Sequence, residues 1–320
     1  MPNVIENAEL MRNQTWGSEW EMSNITCEQA VHVVAQHYGT LDTIRQGRDW
    51  AHRVGCNDSK GRTWWAHVDS SVASYGRGCC ELVTPIMEWD DIEDAQQILR
   101  ELRADGAVSG QRYGCGLHIH VGAFNVTDNS GNIQTAKSLR NLANLMKSHE
   151  DLLIKAINIS NSRCRNGGYA SVLSDDFVRA LNAQRPNNVR AVQNLYSDYG
   201  SRYQMLNYDS LDDNKTVEFR LFEFHNKIHA GEFKAYLHLC LAMASYAKLV
   251  NRCSPEHVDM SNEKYAMNSW LKNMGLIGSE FKTTRKMLTK RLSGDTAYRH
   301  GRPVENTDDL DDLALDSMID

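Results

Sequence analysis

Between Thr216 and Phe222 the chain reads TVEFRLF, and the two charges inside that apolar run restrict what the segment can become. Successive side chains of a strand point to opposite faces, so Val217, Phe219 and Leu221 form one apolar face while Glu218 and Arg220 share the other. Alone, the segment describes a half-exposed strand with a solvated ion pair, which contributes little stability. The same division recurs in three more stretches. In TWGSEWEM (15–22), Glu19 and Glu21 oppose Trp20 and Met22; in GCGLHIHVG (114–122), His118 and His120 oppose Leu117, Ile119 and Val121; in CCELVTP (79–85), Glu81 opposes Cys80 and Leu82. If these faces belong to one sheet, four carboxylates and two imidazoles meet beside Arg220.

Such a cluster repels itself, and carboxylates brought together without a counter-charge take up protons. Cations resolve the conflict. A donor set made mostly of carboxylate oxygen suits Mg²⁺ or Mn²⁺ better than Zn²⁺, which prefers nitrogen and sulfur. Divalent ions on a floor of strands with an arginine alongside are equipment for triphosphate chemistry, the metals and the guanidinium offsetting charge on a phosphoryl group in transfer. Neither G-x-x-x-x-G-K-[ST] nor G-x-G-x-x-G occurs in the chain, so a nucleotide would have to be held by another device.

The remaining pattern predicts an α+β fold. Thr26-Cys-Glu-Gln29 reads as a capping box opening a helix through His37, and Asp90 or Asp91 is placed to cap a helix that stops at Gly106. Leu139 to Leu153 mark a third helical region whose two apolar stripes allow separate segments. The run 230–250 is apolar on most faces and is expected in the core. Further strands are expected at 64–70 and 202–208, with helices between strands in irregular order. The expected division is a catalytic domain over 1–253, a partly basic helical extension over 254–302 and an acidic, disordered tail over 303–320.

At 41% hydrophobic and 24% charged residues the composition is that of an ordinary globular chain, and a net charge of −6 gives no overall attraction to nucleic acid or an anionic membrane. The basic stretch 282–302 could contact nucleic acid or an anionic partner, but such a run is more often a solvated helix face, and the neighbouring acidic tail could mask it. No apolar run is long enough to span a bilayer, and the N-terminus lacks a secretory pattern, so a cytoplasmic location is expected. Eight cysteines without a C-x-x-C pair read as reduced thiols, and the acceptor patterns at Asn24 and Asn125 then carry no meaning.

Taken in order, W-G-x-E-x-E, D-S-S, C-C-E-L-V-T-P-I, G-C-G-L-H-I-H-V, R-Y-x-x-L-N and T-V-E-F-R-L-F resemble the amidoligase family, part of the glutamine-synthetase-like group of ATP-dependent carboxylate–amine ligases. The likeness runs from about Trp16 to His229. It implies a curved, mostly antiparallel sheet with helices on its convex side and Mg·ATP on the concave face. By this resemblance Glu19, Glu21, Glu81, His118 and Glu218 are metal ligands, Arg220 contacts the transferred phosphoryl group and His120 lies near the nucleotide phosphates. The implied reaction joins a small-molecule or peptide carboxylate to an amine through an acyl phosphate.

Other residues are less determined. Arg163 and Arg165 could hold phosphate or substrate carboxylate, or belong to a solvated loop; Asp69 could orient the amine or cap a turn. Arg202 and Asn207 match the family's element, placing them with the nucleotide, while Tyr203 could be packing. Trp64 and Trp65 are read as core in preference to a base-stacking platform, and Cys79 and Cys80 as packing residues without a partner base. Three other functions stay open: a metal-dependent hydrolase or oxygenase using His118 and His120, a phosphotransferase of the same fold, and a non-catalytic member of it.

Overall fold

The computed structural model describes residues 4–40, 44–47, 52–124, 133–165, 167–225 and 227–300. Its centre is one open sheet of eight strands, every neighbouring pair antiparallel, with eleven helices among the described residues. The strands are β1 (Trp16–Ser23), β2 (Ile44–Gln46), β3 (Arg53–Asn57), β4 (Thr63–His67), β5 (Cys79–Val83), β6 (Leu117–Gly122), β7 (Leu206–Asn207) and β8 (Thr216–Phe222). They lie in the order β2-β3-β4-β5-β1-β6-β8-β7. The four strands bearing the alternating pattern, β5, β1, β6 and β8, are therefore consecutive.

Helices cover the apolar face. The helix α1 spans Val4–Arg12, α2 Cys27–Tyr38, α3 Ile92–Ala104, α4 Ala136–Ile157 and α9 Ala230–Leu249; the shorter α5 (Asn161–Cys164), α6 (Asp175–Gln184), α7 (Val189–Tyr199) and α8 (Ser210–Asp213) fall between α4 and β8. Thr26 caps α2 reciprocally with Gln29, and Gly39 ends it in the left-handed conformation that glycine adopts without a steric penalty. The chain apolar on most faces is α9, buried beneath the sheet with α1, α3 and α4 around it. From β1, Trp20 meets Trp64 and Phe233 edge-on with ring centroids 5.6 and 5.5 Å away. Its indole N–H donates to Ser18 Oγ (2.9 Å), which donates to the His118 carbonyl (2.7 Å), so the core side of β1 is bonded to the strand carrying the imidazoles.

Several expectations change. The region 139–153 is part of one helix, because α4 is sandwiched between α9 and the pair α6 and α7 and buries both stripes. Asp91 precedes α3 but makes no capping bond to it; its carboxylate binds Arg62 (2.7 Å), Lys60 (2.7 Å) and the Glu88 amide (2.8 Å). The strand expected at 202–208 shrinks to Leu206–Asn207. The short β2 and β3 carry no alternation long enough to read. Gly55 in β3 marks a close approach, since a Cβ there would stand 2.5 Å from the Trp64 carbonyl. Trp64 is core, but Trp65 is opposite Val83, which is opposite Glu19, so it lies on the polar face, with the Arg53 guanidinium 4.1 Å above its ring.

Beyond α9, α10 (Glu263–Asn273) and α11 (Lys282–Thr289) continue the helical layer, and Phe281 and Leu288 join the main core. Much of the basic stretch is spent internally. Lys290 and Arg291 both bind Glu232 of α9 (2.7 and 3.0 Å), and Arg285 donates to the carbonyls of Leu276 (2.6 Å) and Gly278 (3.0 Å). All eight cysteines are free thiols. No described helix is long and apolar enough to cross a membrane. The segment 303–320 and Asn125 lie outside the described residues.

Candidate active site

The strand register builds the site. Glu19 on β1 is opposite His118 on β6, Glu21 is opposite Glu81 on β5, and His120 is opposite Glu218 on β8. Each pair crosses adjacent strands on one face, where cross-strand Cβ atoms approach to about 5 Å. A bulge in β8 follows this row: Leu117 and Ile119 are opposite Phe222 and Phe219, so the alternation read through Leu221 breaks after Arg220.

The side chains meet as the register requires. His118 Nδ1 lies 2.9 Å from Glu19 Oε2 and 3.7 Å from Glu218 Oε1, and His118 Nε2 lies 3.6 Å from Glu21 Oε1. Arg220 Nη1 donates to Glu218 Oε1 at 2.5 Å, and the Asn207 amide donates to Glu218 Oε2 at 2.7 Å. Glu19, His118 and Glu218 offer ligand atoms that all lie within 4.8 Å of one another, a compact donor set for one cation. His120 Nε2 is buried 3.3 Å from Glu19 Oε1 but without hydrogen-bond geometry, and Arg220 Nε also lacks an acceptor. These are unspent polar atoms inside the cluster. Arg220 and Glu218 face away from the hydrophobic core, yet neither is in solvent: their side chains are 12% and 6% exposed.

Electrostatics reinforce the geometry. Burial alone would raise the Glu19 carboxyl, but the imidazoles of His118 and His120 hold it well below the usual range. Burial opposes the charged form of His120, which the Glu19 and Glu218 carboxylates nevertheless push upward. At Glu81 the His67 imidazole, 3.6 Å away, does not offset burial. Burial, then the charges of Glu19 and Glu21, then its bond to Asp69 push Glu81 to about 10, so it is protonated at neutral pH and donates to the Asp69 carboxylate. The cluster thus carries a proton where a cation would serve, and its oxygen-rich donors fit a hard divalent ion.

That protonation predicts a pH effect. Glu81 binds a proton in the folded state between its unfolded value near 4.5 and about 10, whereas the unfolded chain does not, so its contribution makes stability fall as pH rises through this window. The slope for one proton is at most about 1.4 kcal/mol per pH unit. In EDTA, the thermal midpoint should drop between pH 6 and pH 9, and Glu81→Gln should flatten the drop. An equal slope in the variant would contradict the assignment.

Two cavities flank the cluster. The larger, about 690 Å³, is bounded by Glu21, His118 and Arg220 on the sheet and by Asp69, Arg163, Arg165 and Arg202 around it. The smaller, about 210 Å³, lies beyond Glu19 and His120 against Val83, Pro85 and Ile86, with Lys215 at its edge. Asp69 accepts the Ser71 amide at 2.7 Å, so it caps a turn and also binds Glu81. Arg163 lies 3.8 Å from Glu223 and donates to the Arg220 carbonyl at 3.2 Å. Arg165 and Arg202 are exposed. Tyr203 is not core packing; it is 42% exposed and meets the exposed Tyr169 edge-on at 5.5 Å. Asn207 is buried against Glu218, which it orients.

Some contributors escaped the sequence reading. The Gly116 amide donates to Glu21 Oε2 at 2.5 Å, and a Cβ on Gly116 would stand 2.8 Å from Arg163 Nη1 and 3.2 Å from His118 Nε2. Its place in G-C-G-L-H-I-H was the one available signal. Gly116→Ala should therefore displace the Arg163 guanidinium with little loss of fold, which a crystal structure of the variant and its thermal midpoint would check. Thr216 and Ser210 hold His120 Nδ1 (2.9 and 3.3 Å), and His67 Nε2 lies 3.6 Å from Glu81.

No curated protein matches the chain. Among solved structures, a bifunctional glutathione synthetase from Pasteurella multocida is similar over 91% of this chain at 11% sequence identity and a TM-score of 0.45. The alignment covers 49% of that protein, so the chain spans about half its length. Residues 12–244, which include every strand and the whole acidic cluster, match the family described as "Putative amidoligase enzyme", and this chain belongs to that family.

Proposed function

We propose that the chain is an ATP-dependent ligase that joins a carboxylate to an amine, built on a glutamine-synthetase-like catalytic sheet with residues 254–302 as a helical extension. The observation that carries the reading is the convergence of Glu19, His118 and Glu218 with Arg220 on one face of β1, β6 and β8. Glu19, His118 and Glu218 would hold one Mg²⁺ or Mn²⁺, with Glu21 and Glu81 available to a second. When bound, such ions supply charge neutralisation on the phosphate oxygens.

The protein's own groups do the rest. The small cavity's apolar wall of Val83, Pro85 and Ile86 suits a nucleoside, with His120 between it and the cluster, where the phosphates would run. Arg220, with an unspent donor, stabilises negative charge on the γ-phosphoryl group as a substrate carboxylate oxygen attacks it and ADP departs with the electron pair of the broken P–O bond. Arg163, Arg165 and Arg202 hold that carboxylate substrate or the phosphate in the larger cavity. The amine nitrogen then attacks the acyl carbon, the C–O bond to phosphate breaks, and inorganic phosphate leaves. Asp69, kept ionised beside Glu81, orients the amine and accepts its proton. ATP supply and eight free thiols both suit the cytoplasm.

A screen of amino acids, short peptides and amines for Mg²⁺-dependent ATP cleavage tests this. The expected product is lighter by one water than its two parts. Release of ADP with a phosphorylated product and no amide would make the protein a phosphotransferase, and Zn or Fe retained through purification would favour the His118/His120 hydrolase or oxygenase.

A further inference from the structure

We propose a second anion site, on the helical side of the protein, that takes a small oligophosphate. A cavity of about 480 Å³ opens between α4, the end of α6 and the segment after α9, and it shares no lining residue with the two cavities beside the acidic cluster. Arg140, Arg185 and Arg252 line it, and no carboxylate does. Lys137, one turn before Arg140, bonds the lining residue Asn251 through Nζ at 3.3 Å, bringing a fourth cation to the rim. Among the described residues none of the four has an ion-pair partner, whereas arginines such as Arg62 and Arg179 are matched to aspartates.

The walls are held by buried amides. Asn141 of α4 donates to the carbonyls of Ala247 (3.1 Å) and Val250 (2.9 Å) and accepts from the Cys253 amide (3.2 Å). Asn144 donates to the Cys253 carbonyl (3.0 Å) and exchanges bonds with Asn182 of α6 (2.8 and 2.7 Å). Buried amides are costly unless satisfied, and these are satisfied by the very segments that carry Arg252 and Arg185. Arg185 ends α6 at φ 47°, a left-handed conformation uncommon for a residue other than glycine, asparagine or aspartate. Burial raises the Cys253 thiol to about 11, so it adds no negative charge at neutral pH.

Four cations gathered around one cavity repel one another, and a ligand that carries several negative charges in a small volume relieves them best. A carboxylate offsets one and a single phosphate at most two; a diphosphate or triphosphate offsets three or four and presents oxygens that the guanidinium forks bind in pairs.

The test uses the full-length chain carrying Arg220→Ala, in EDTA at low salt, so that phosphate binding at the acidic cluster is suppressed. Isothermal titration with inorganic pyrophosphate should show one equivalent bound, more weakly as salt rises. Adding Arg140→Ala with Arg252→Ala should weaken it by at least about tenfold, and the paired lysine substitutions by less, since they keep charge and lose the fork. Tripolyphosphate and ATP titrated in parallel distinguish a free phosphate chain from a nucleotide's, and uptake of either that the double alanine variant loses supports the site, since the arginines of the larger cavity are the same in both proteins. No uptake by the parent, or equal uptake by the double alanine variant, would overturn it. So would a lowered unfolding midpoint with unchanged anion affinity, which would leave Arg252 as a counter-charge to the C-terminal end of α9.

Discussion

Arg220→Ala is expected to lower the rate of amide formation by about three to five orders of magnitude, the range over which a single arginine acts on a phosphoryl group in transfer. The guanidinium is positioned for this by Glu218 at 2.5 Å and retains Nε without an acceptor, so a donor remains for a ligand. The fold should survive, because Glu218 keeps the Asn207 amide at 2.7 Å and His118 at 3.7 Å after the arginine is gone. Arg220→Lys should fall between the two, retaining charge but not the planar fork. Steady-state ATP cleavage, mass detection of the product and a thermal midpoint on the same samples separate catalysis from folding. Near-normal turnover in the alanine variant would remove Arg220 from the mechanism; a collapsed midpoint would make its pair with Glu218 structural instead.

Trp20→Ala should have the largest effect on stability, about 3–5 kcal/mol for truncating a fully buried tryptophan, against a typical total of about 5–15 kcal/mol. Trp20 touches Trp64 across the sheet and Phe233 on α9, so its loss opens a void where the sheet meets its central helix. It also precedes Glu21 and follows Glu19 in β1, so slack in the strand loosens both carboxylates. Urea unfolding should show a much lower midpoint at unchanged slope. Mg²⁺ affinity should fall under conditions where the variant is still folded. Trp20→Phe should lose less on both counts. A loss below about 1 kcal/mol would mean the core closes around the gap more readily than this packing allows.

Much of the site was legible in the amino-acid order because period-two alternation is a local property. Glu19 with Glu21, His118 with His120, and Glu218 with Arg220 share a face for steric reasons within each segment, whatever the segment packs against. The capping box at Thr26 and the apolar α9 are local in the same sense. Where a second element intervened, the reading fell short. Trp65 lies on the polar face, Asp91 is taken by Arg62 and Lys60, and α4 runs unbroken because helices flank both its stripes.

What the chain determined by itself was which side chains travel together, and it did so through backbone geometry that acts over two to four residues. Only the tertiary structure decided who faces whom. The order β5-β1-β6-β8 sets Glu21 against Glu81, Glu19 against His118 and His120 against Glu218, joining segments as far apart as residues 19 and 218. Burial and then the charges of Glu19 and Glu21 raise Glu81, while the imidazoles of His118 and His120 lower Glu19 against its own burial, although both are glutamates on alternating strands, because the environment of a carboxyl depends on what the fold brings to it through space. The supports of the cluster, Gly116 under Arg163 and Asn207 on Glu218, belong to the same class: each acts by distance to a partner that no sequence spacing specifies.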